Sequence, residues 1–495
     1  MTDRKDDGSG GDKPAAIADF DAEKLRELIQ RLGAQVIDDA PASKLQRETE
    51  AEKTAVHEFW HTQPVPKSSE VVKQDAPLHP PLPPEKIPQE PYALPEGMAW
   101  CTVDIEDDAQ LRELHDLLLN NYVEDTDAMF RFNYPFELLR WVTMPPGFNK
   151  SWHVGVRNSE SGELVGFISG VPVDIMVRDR TMPMAEINLL CLSKKLRSQR
   201  LAPLLIKEVT RRVHLVGIFQ AIYTSGRLLP KPVATCRYFH RSLQPRKLID
   251  IGFSGPVEGP QLARLVAAMR LPQTTTTRGL RLMRKGDVSQ LRKLLNRFLK
   301  TRYEVVPCYT SDAQVAHWLL PRENVLWSYV VDDEAHPGKI TDFFSFFSLP
   351  SQALKPGQNK KPAAKNKKPA GGSQKKSGSD TLNAAYAYYY ATNAGNDVEL
   401  TAEEKDGCDG AKKEKALLRE KQNEAVKNRL VALFGDALVL AKNSGFDVFN
   451  CLDMMDNAMF VNELKFGRGD GFLRYYFYNY MARDTASAKI GFVML

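Results

Sequence analysis

The chain has 495 residues, of which 43% are apolar and 26% are charged, and its formal net charge is only +5. This composition is typical of a globular protein with two or more domains, and so small a charge gives no reason to expect DNA binding. The six cysteines form no CxxC pair, the polar N-terminus has no apolar signal region, and no apolar run reaches the ~18 residues of a membrane span, so we expect a cytoplasmic protein without metal or transmembrane segment.

The N-terminal hundred residues contain little core-forming sequence. Residues 1–20 are rich in Asp, Gly and Lys and are predicted to be disordered, and a short amphipathic helix is predicted at 23–32. The segment HEFWHTQPVPK at 57–67 places two large aromatic residues ahead of prolines. The proline-dense segment 77–97 is predicted to run extended over a surface, and compact sequence begins near Met98.

Helical and strand-like patterns alternate from residue 108 to residue 224. A helix is predicted at 108–121 from the spacing of its leucines. A second helix is predicted at 203–215, because Pro203 lies in its first turn and Gly217 follows its end. Strands are predicted at 153–157, 164–177, 186–192 and 219–224.

The second part of the chain repeats this mixture and adds two insertions. A helix is predicted at 288–300, and strands are predicted at 326–331, 343–348, 384–392 and, from the alternation in KIGFVML, at the chain end. The Lys-, Pro-, Gly- and Ser-rich segment 358–379 is predicted to be a flexible surface loop, and the charged segment 403–427 a second excursion that becomes helical. Contact of the basic loop with ribosomes or acidic lipids stays open, although a solvated linker is the simpler interpretation.

A cluster of cations follows the predicted strand 186–192 and precedes the helix that Pro203 opens; it contains Lys194, Lys195, Arg197 and Arg200. A helix N-terminus offers free N–H groups and the positive end of the helix dipole, so added cations make a candidate phosphate site. The spacing Arg197-x-x-Arg200-x-Ala202 is similar to the pyrophosphate loop of acyl-CoA-dependent N-acyltransferases, Gln/Arg-x-x-Gly-x-Gly/Ala, without its middle glycine. The alternative is an exposed turn between a strand and a helix.

Longer segments resemble the eukaryotic N-myristoyltransferases. They are EINLLCLSKKLRSQRLAPLLIKEVTRRVHLVGIFQAIYTSG, LPKPVATCRYFHRSLQPRKLI, the loop KFGRGDG, HEFWHTQPVPK and the chain end GFVML. The resemblance implies an α+β (mixed α/β) fold of two fused N-acetyltransferase-like (acyl-CoA N-acyltransferase) halves, related by pseudo-twofold symmetry around a saddle-shaped sheet. It implies a disordered or weakly helical tail at 1–45, an acyl-CoA-binding half at 46–226 and a peptide-binding half at 227–495, with a flexible basic insertion at 356–380.

The implied reaction transfers myristoyl from myristoyl-CoA to the N-terminal glycine amine of a protein substrate. The resemblance assigns the oxyanion hole to the backbone N–H groups of Leu189 and Leu190, the amine contacts to Asn188 and Thr224, and the general base to the C-terminal carboxylate of Leu495. A bulge in the strand would free two N–H groups, and the apolar end KIGFVML indicates a buried terminus. Taken alone, these residues would be core leucines and strand-end hydrogen-bonding groups.

The acyl donor, myristoyl-CoA, is expected to contact the N-terminal aromatic segment, the strand and the basic cluster. These contacts, implied by the resemblance, are His57, Glu58, Phe59, Trp60, Ile187, Leu189, Leu190, Cys191, Leu192, Lys195, Leu196, Arg197, Ser198, Gln199, Arg200, Leu201 and Ala202. Taken alone, the aromatic residues could instead anchor the tail.

The expected partners are peptides and proteins with an N-terminal glycine and a downstream Ser or Lys, bound by a monomer. Acidic residues on a groove suit a basic substrate. The implied groove residues are Tyr122, Val123, Glu124, Asp125, Asp127, Phe130, Phe132, Tyr238, His240, Phe253, Ser351, Tyr386, Asp470 and Gly471. Two alternatives remain open, namely a short-chain N-acyltransferase and a ribosome- or nucleic-acid-binding scaffold that uses the basic insertion.

Overall fold

A computed structural model describes residues 58–123, 129–354, 381–401, 404–405 and 410–495. The predicted tail, the helix at 23–32, the donor contact His57 and the basic insertion lie outside these described residues. So do three of the predicted groove residues, Glu124, Asp125 and Asp127.

Helices and strands alternate along the described chain. The helices are α1 (Glu58–His61), α2 (Asp108–Asn121), α3 (Phe136–Thr143), α4 (Leu201–His214), α5 (Pro245–Asp250), α6 (Gly259–Ala268), α7 (Val288–Arg302), α8 (Asp312–Leu319) and α9 (Ala411–Asn443). The strands are β1 (Ala76–Pro77), β2 (Met98–Thr102), β3 (Phe130–Phe132), β4 (His153–Asn158), β5 (Leu164–Val177), β6 (Arg180–Leu192), β7 (Ala221–Ser225), β8 (Ala234–Ser242), β9 (Leu280–Leu282), β10 (Val305–Pro307), β11 (Leu326–Asp332), β12 (Ile340–Ser348), β13 (Ser351–Ala353), β14 (Thr381–Leu382), β15 (Ala384–Thr392), β16 (Val448–Leu452), β17 (Gly467–Tyr478) and β18 (Tyr480–Met481).

Local sequence signals explain why the helices begin where they do. Helix α2 has the predicted bounds, and the Asp107 carboxylate caps it by accepting a hydrogen bond from the Ala109 N–H at 2.8 Å. Helix α4 begins at Leu201, two residues earlier than predicted. Pro203 is tolerated there because the N–H groups of a first turn have no partner within the helix.

Two predictions about the C-terminal part of the chain are wrong. Residues 491–495 form no strand, and only Ile490 makes a bridge, parallel to Val305. The reason is that a side chain, the Tyr389 hydroxyl, accepts the Val493 N–H at 3.0 Å in place of a neighbouring strand. The segment KFGRGDG was expected to be a loop, but from Gly467 onward it lies in β17, whose register against β8 shifts between Arg468 and Phe472.

The central sheet of the described residues has thirteen strands in an order that repeats from its two ends. From one end the order is β2, β4, β5, β6, β7, and from the other it is β9, β11, β12, β15, β16. In each series the first four strands are antiparallel and the last pair is parallel. A helix makes each parallel crossover, α4 in the first half and α9 in the second. The predicted fold class is confirmed.

The two halves exchange strands at the centre of this sheet. Strand β8 follows the first half in the chain but pairs with β16 of the second, and β17 follows the second half but pairs with β7 of the first. Strands β8 and β17 also pair with each other. The halves are therefore joined through their backbones as well as through a shared core, and the predicted boundary at 226/227 stays a prediction.

Helices cover both faces of the first half. Helix α4 packs Leu205 and Val209 against one face of β4–β6, and α2 packs Leu111 and Leu114 into the larger core on the opposite face. That larger core includes residues from both halves. None of the described helices is both long enough and apolar enough to span a membrane.

Candidate active site

The backbone of β6 opens at the point where its pairing with β7 ends. The two parallel strands pair only over residues 185–187 and 221–223. Two residues further on, Leu189 and Leu190 lie opposite the single residue Ile168, because the pairing with β5 passes from Asn188–Ser169 to Cys191–Phe167. This is a β-bulge, which removes backbone N–H groups from the ladder.

The bulge holds its residues in an unusual conformation. Leu189 has φ = +56°, in the left-handed region that costs a non-glycine residue roughly 1–2 kcal/mol. Its side chain is only 1% exposed, so packing in the larger core offsets this cost. The Ser169 hydroxyl donates to the Asn188 carbonyl at 3.1 Å and holds the start of the bulge. Leu190 is 36% exposed, so the bulge is accessible on one side.

The pairing of β6, β7 and β17 sorts the surrounding side chains onto two faces. Directly paired residues project on the same face of a sheet, and successive residues alternate. Since Glu186 pairs with Ile222, and Thr224 pairs with Tyr475, these side chains and Asn188 share the face of the larger core. The residues Ile187, Tyr223 and Tyr476 share the opposite face.

The C-terminal residues lie on the same face as Thr224. Gly491 donates its N–H to the Val305 carbonyl at 2.7 Å, and Met494 is 7% exposed. Burial raises the pKa of Tyr475, while the Met494 N–H next to its hydroxyl lowers it. Leu495 packs against the same core. Because Tyr475 is the cross-strand partner of Thr224, the chain ends beside the point where β6 and β7 separate.

A buried carboxylate lies beside Asn188. Glu186 is 6% exposed, and its Oε1 accepts a hydrogen bond from Asn188 Nδ2 at 2.7 Å. Burial raises the pKa of Glu186 to about 7, although the bond from Asn188 works against this rise. The split between the strands therefore contains an amide, a hydroxyl and a carboxylate within a largely apolar surrounding.

The basic cluster forms a 3₁₀ turn, Lys194–Gln199, directly before α4. Arg197 donates to the Asn121 carbonyl at 2.6 Å, and the side chains of Lys195 and Arg200 are exposed. Arg200 has φ = +54°, the conformation that a glycine adopts freely, so the absent glycine does not prevent this turn. No side chain of the described residues caps the N-terminus of α4. The turn therefore presents cations and helix N–H groups together.

The N-terminal aromatic segment covers the opposite face of the split. Trp60 of α1 stacks on Tyr223 with ring centroids 5.5 Å apart, and Tyr223 stacks on Tyr476 at 5.2 Å. Phe59 contacts Trp60 edge to face at 5.2 Å. The Glu58 carboxylate lies 3.8 Å from the Arg200 guanidinium. The aromatic segment and the basic turn thus border the same side of β6.

A profile of the family "Myristoyl-CoA:protein N-myristoyltransferase, N-terminal domain" matches residues 77–236, and the C-terminal domain of the same family matches 250–364 and 373–492. This chain belongs to the N-myristoyltransferase family. The "Probable glycylpeptide N-tetradecanoyltransferase" of Caenorhabditis elegans is 40% identical over 491 residues, which are 99% of this chain and 96% of that protein. "Glycylpeptide N-tetradecanoyltransferase 2" of Bos taurus is 43% identical over 438 residues, or 88% and 76% of the two chains.

Solved N-myristoyltransferases share this fold. The structure of the Saccharomyces cerevisiae enzyme with bound myristoyl-CoA has a TM-score of 0.76 at 39% identity and covers 89% of this chain and 99% of that one. The prediction that this chain is an acyltransferase of the N-myristoyltransferase family is confirmed. The gap in the C-terminal family match, 365–372, falls inside the basic insertion.

Most residues predicted to contact peptide surround one aromatic wall. Phe253 contacts Phe130 and His240 with centroids 5.7 Å apart in each case, and His240 stacks on Tyr238 at 6.4 Å. Ser351 pairs with Phe132, and Tyr386 pairs with Asn450. Tyr122 lies between this wall and the bulge: its ring contacts Tyr134 at 5.7 Å, which contacts Phe132, and its hydroxyl lies beside the Leu189 N–H. Burial raises the pKa of this hydroxyl, and the N–H lowers it. Val123 is half exposed.

The glycines of KFGRGDG make room for this wall. A β-carbon on Gly469 would lie 2.5 Å from His240 Nε2, and one on Gly471 would lie 3.2 Å from the Tyr238 ring. Arg237 donates to the Gly469 carbonyl at 2.6 Å. Asp470, between the two glycines, is half-buried. Any residue larger than glycine at position 469 would displace His240.

Sequence analysis missed three residues of the site. Glu186 is visible only as one charge in an otherwise apolar strand, EINLLCL, and Tyr389 and Tyr475 look like ordinary strand tyrosines. Glu186 and Asn188 are only two residues apart, but the burial of their contact cannot be read from the strand itself. The contacts of Tyr389 and Tyr475 with the chain end join positions far apart in sequence. Within the described ranges, no group of three His, Cys, Asp or Glu side chains is placed to hold a metal ion.

Proposed function

We propose that the chain transfers the myristoyl group of myristoyl-CoA to the amine of an N-terminal glycine, using the split between β6 and β7 as its active site. The amine nitrogen attacks the thioester carbonyl carbon and forms the amide C–N bond. The C–S bond breaks, and the coenzyme A thiolate leaves and takes up a proton. The amine loses its proton to the protein.

The bulge in β6 is the observation that carries this proposal. Negative charge develops on the thioester oxygen during attack, and backbone N–H groups released from a ladder suit that charge. Leu189 and Leu190 supply these groups on one side of the split, because the register shift takes both residues out of the β5–β6 pairing; the Leu189 N–H lies beside the Tyr122 hydroxyl. The donors belong to the main chain, so the identity of the two side chains affects them little.

The residues on the larger-core face bind and deprotonate the substrate amine. Asn188 and Thr224 lie just past the last paired residues of β6 and β7, where the strands separate. The Leu495 carboxylate acts as general base and accepts the ammonium proton, because the chain end is held beside Tyr475 and Thr224. An α-ammonium group has a pKa of ~7.7–8.0, so a nearby proton acceptor is needed at neutral pH.

The opposite face receives the acyl donor. The cations Lys195, Arg197 and Arg200 and the free N–H groups of α4 bind the coenzyme A phosphates. Trp60 and its stacked neighbours cover the donor beside the bulge. The fatty chain is buried, and each methylene contributes ~0.8 kcal/mol. The wall around His240 and Phe253, with Asp470, accepts the peptide and its downstream Ser or Lys.

The position of the base is tested at the chain end. Extension beyond Leu495 by a few residues, or removal of Met494 and Leu495, should lower the single-turnover rate of glycine-peptide acylation by at least ~100-fold, the lower range for general-base catalysis. Myristoyl-CoA should still raise the melting temperature of both variants. Unchanged single-turnover rates would exclude the terminal carboxylate. A larger stabilisation by acetyl-CoA than by myristoyl-CoA would instead favour the short-chain alternative.

A further inference from the structure

The Glu186–Asn188 pair is unusual for the interior of a protein. Glu186 is 6% exposed, and among the described residues no Lys, Arg or His side chain bonds to it. The titratable groups that face it are the hydroxyls of Tyr309, Tyr388 and Tyr389. Burying a carboxylate without a cation is unfavourable, so the fold alone gives no reason to place one here.

The hydrogen bond between the two side chains decides which way the Asn188 amide faces. Asn188 Nδ2 donates to Glu186 Oε1, which leaves Oδ1 on the other branch of the amide. Within the described chain, Oδ1 makes no hydrogen bond and is not among the buried unpartnered atoms. An incoming amine carries N–H donors and needs an acceptor, which Oδ1 provides and Nδ2 does not. An ionised carboxylate is suited to this task because it only accepts hydrogen bonds.

The second half of the molecule shows that the fold does not require a polar pair. The pairing of β15 with β16 also covers three residues and ends at Tyr386, as that of β6 with β7 ends at Ile187. Counting back and forward from these residues, Ala385 corresponds to Glu186 and Ala387 to Asn188. Ala385 is fully buried and packs in the larger core. The polar pair occurs only in the half that carries the accessible bulge.

We propose that Glu186 is a positioning residue that holds the Asn188 amide with its oxygen toward the substrate amine. The proposal rests on the proposed function, because it needs the amine to enter where β6 and β7 separate. Glu186 itself touches no reacting atom. Its removal leaves Asn188 free to present either end of its amide, which weakens peptide engagement and leaves acyl-CoA binding intact.

Four substitutions separate orientation from packing. Glu186→Gln keeps an acceptor at the same distance and should retain the KM for a glycine peptide within about threefold. Glu186→Leu removes the acceptor and should raise that KM about tenfold, the equivalent of one hydrogen bond. Glu186→Asp keeps the charge but withdraws it by one methylene, and should resemble Glu186→Leu. Adding Glu186→Leu to Asn188→Ala should change kcat/KM by less than about twofold, because the two residues act as a unit.

The matched control is Asp436→Asn. Asp436 is a 2% exposed carboxylate in α9 that accepts the Thr276 and Thr277 N–H groups at 2.8 and 2.9 Å. This variant should lose thermal stability without changing the peptide KM. Myristoyl-CoA should raise the melting temperatures of the Glu186 variants and of the wild type equally.

Two outcomes would contradict the assignment. If the effects of Glu186→Leu and Asn188→Ala multiply, or if Glu186→Asp behaves like the wild type, Glu186 does not orient Asn188. If Glu186→Leu does not fold, Glu186→Asp and Glu186→Gln still decide between these results. The wild type is assayed in parallel, so its failure to acylate a glycine peptide would overturn the proposed function and the assignment together, whereas the first two outcomes overturn only the assignment.

Discussion

The two halves of the sheet share one backbone plan but differ at the same position. Each has a parallel strand pair that separates after three residues, and each has a bulge two residues further on. In the first half the bulge consists of Leu189 and Leu190, and in the second it consists of Tyr388 and Tyr389 opposite Ser345. Leu190 is 36% exposed, whereas Tyr388 and Tyr389 are buried. One bulge is accessible and the other is filled.

The filled bulge has a different task. The Tyr389 hydroxyl accepts the Val493 N–H, so a residue of the second half holds the chain end. In each half, a serine on the strand opposite the bulge donates a hydrogen bond to a backbone carbonyl of the bulged strand. These bonds run from Ser169 to Asn188 and from Ser345 to Tyr389. Symmetric backbones therefore leave side chains free to differ; in the mechanism we propose, the first half binds the acyl donor and the second half positions the proton acceptor.

The largest expected difference between the halves is in the dependence of stability on pH. The position of Glu186 corresponds to that of Ala385 in the second half. The pKa of the Glu186 carboxyl is raised from an ordinary 4.5 to about 7. The folded state therefore binds more protons than the unfolded state between these values, and the stability of the wild type falls as pH rises from 4.5 through 7. Relative to Glu186→Gln, this fall should reach up to ~3 kcal/mol at 1.36 kcal/mol per pKa unit.

Urea unfolding at pH 4.5 and at pH 8 measures this difference. The stability of Glu186→Gln relative to the wild type should increase with pH. A difference between the two proteins that does not change with pH would mean that Glu186 titrates as it does in the unfolded chain, and the contrast with Ala385 would lose its electrostatic meaning.

The tyrosine bulge should be sensitive to the loss of one hydroxyl group. Tyr389→Phe leaves the Val493 N–H without its acceptor, and a buried unpaired donor costs ~1–3 kcal/mol. We expect a lower melting temperature and slower single-turnover acylation, because the chain end loses its anchor. Tyr388→Phe is the control, since among the described residues its hydroxyl makes no hydrogen bond, and it should change acylation little. Equal losses in both variants would argue against the anchor.

The smallest expected effect is the difference in stability between a glycine and an alanine variant, which should have opposite signs at the two bulges. Leu189 has φ = +56°, whereas Tyr388 is not among the described residues with positive φ. Leu189→Gly should therefore be about 1 kcal/mol more stable than Leu189→Ala, since glycine accepts the left-handed conformation. Tyr388→Gly should be ~0.5–1 kcal/mol less stable than Tyr388→Ala, since glycine loses more conformational freedom than alanine and gains nothing where φ is not positive. The same sign at both sites, measured by urea unfolding, would mean that the two bulges do not differ in backbone strain.

Several elements could be predicted from the sequence because their signals are local. The leucine spacing and the Asp107 cap specify α2, and the many apolar and β-branched residues of β5 specify a strand. Segment resemblance identified the family and proposed Asn188, Thr224 and Leu495 for the site. The prediction of a final strand was wrong, because the alternation in KIGFVML indicates burial and does not show what the backbone pairs with. The Val493 N–H bonds to a side chain more than a hundred residues away.

By itself, the sequence determined the helices and strands whose hydrophobic periodicity lies within one segment, the cations of the basic turn and the family. Only the tertiary structure decided which bulge is accessible, how β8 and β17 exchange between halves, and that Glu186 is buried. The physical reason is that burial, register and the choice of hydrogen-bond partner depend on contacts between distant segments, whereas periodicity and capping depend on neighbours in the chain.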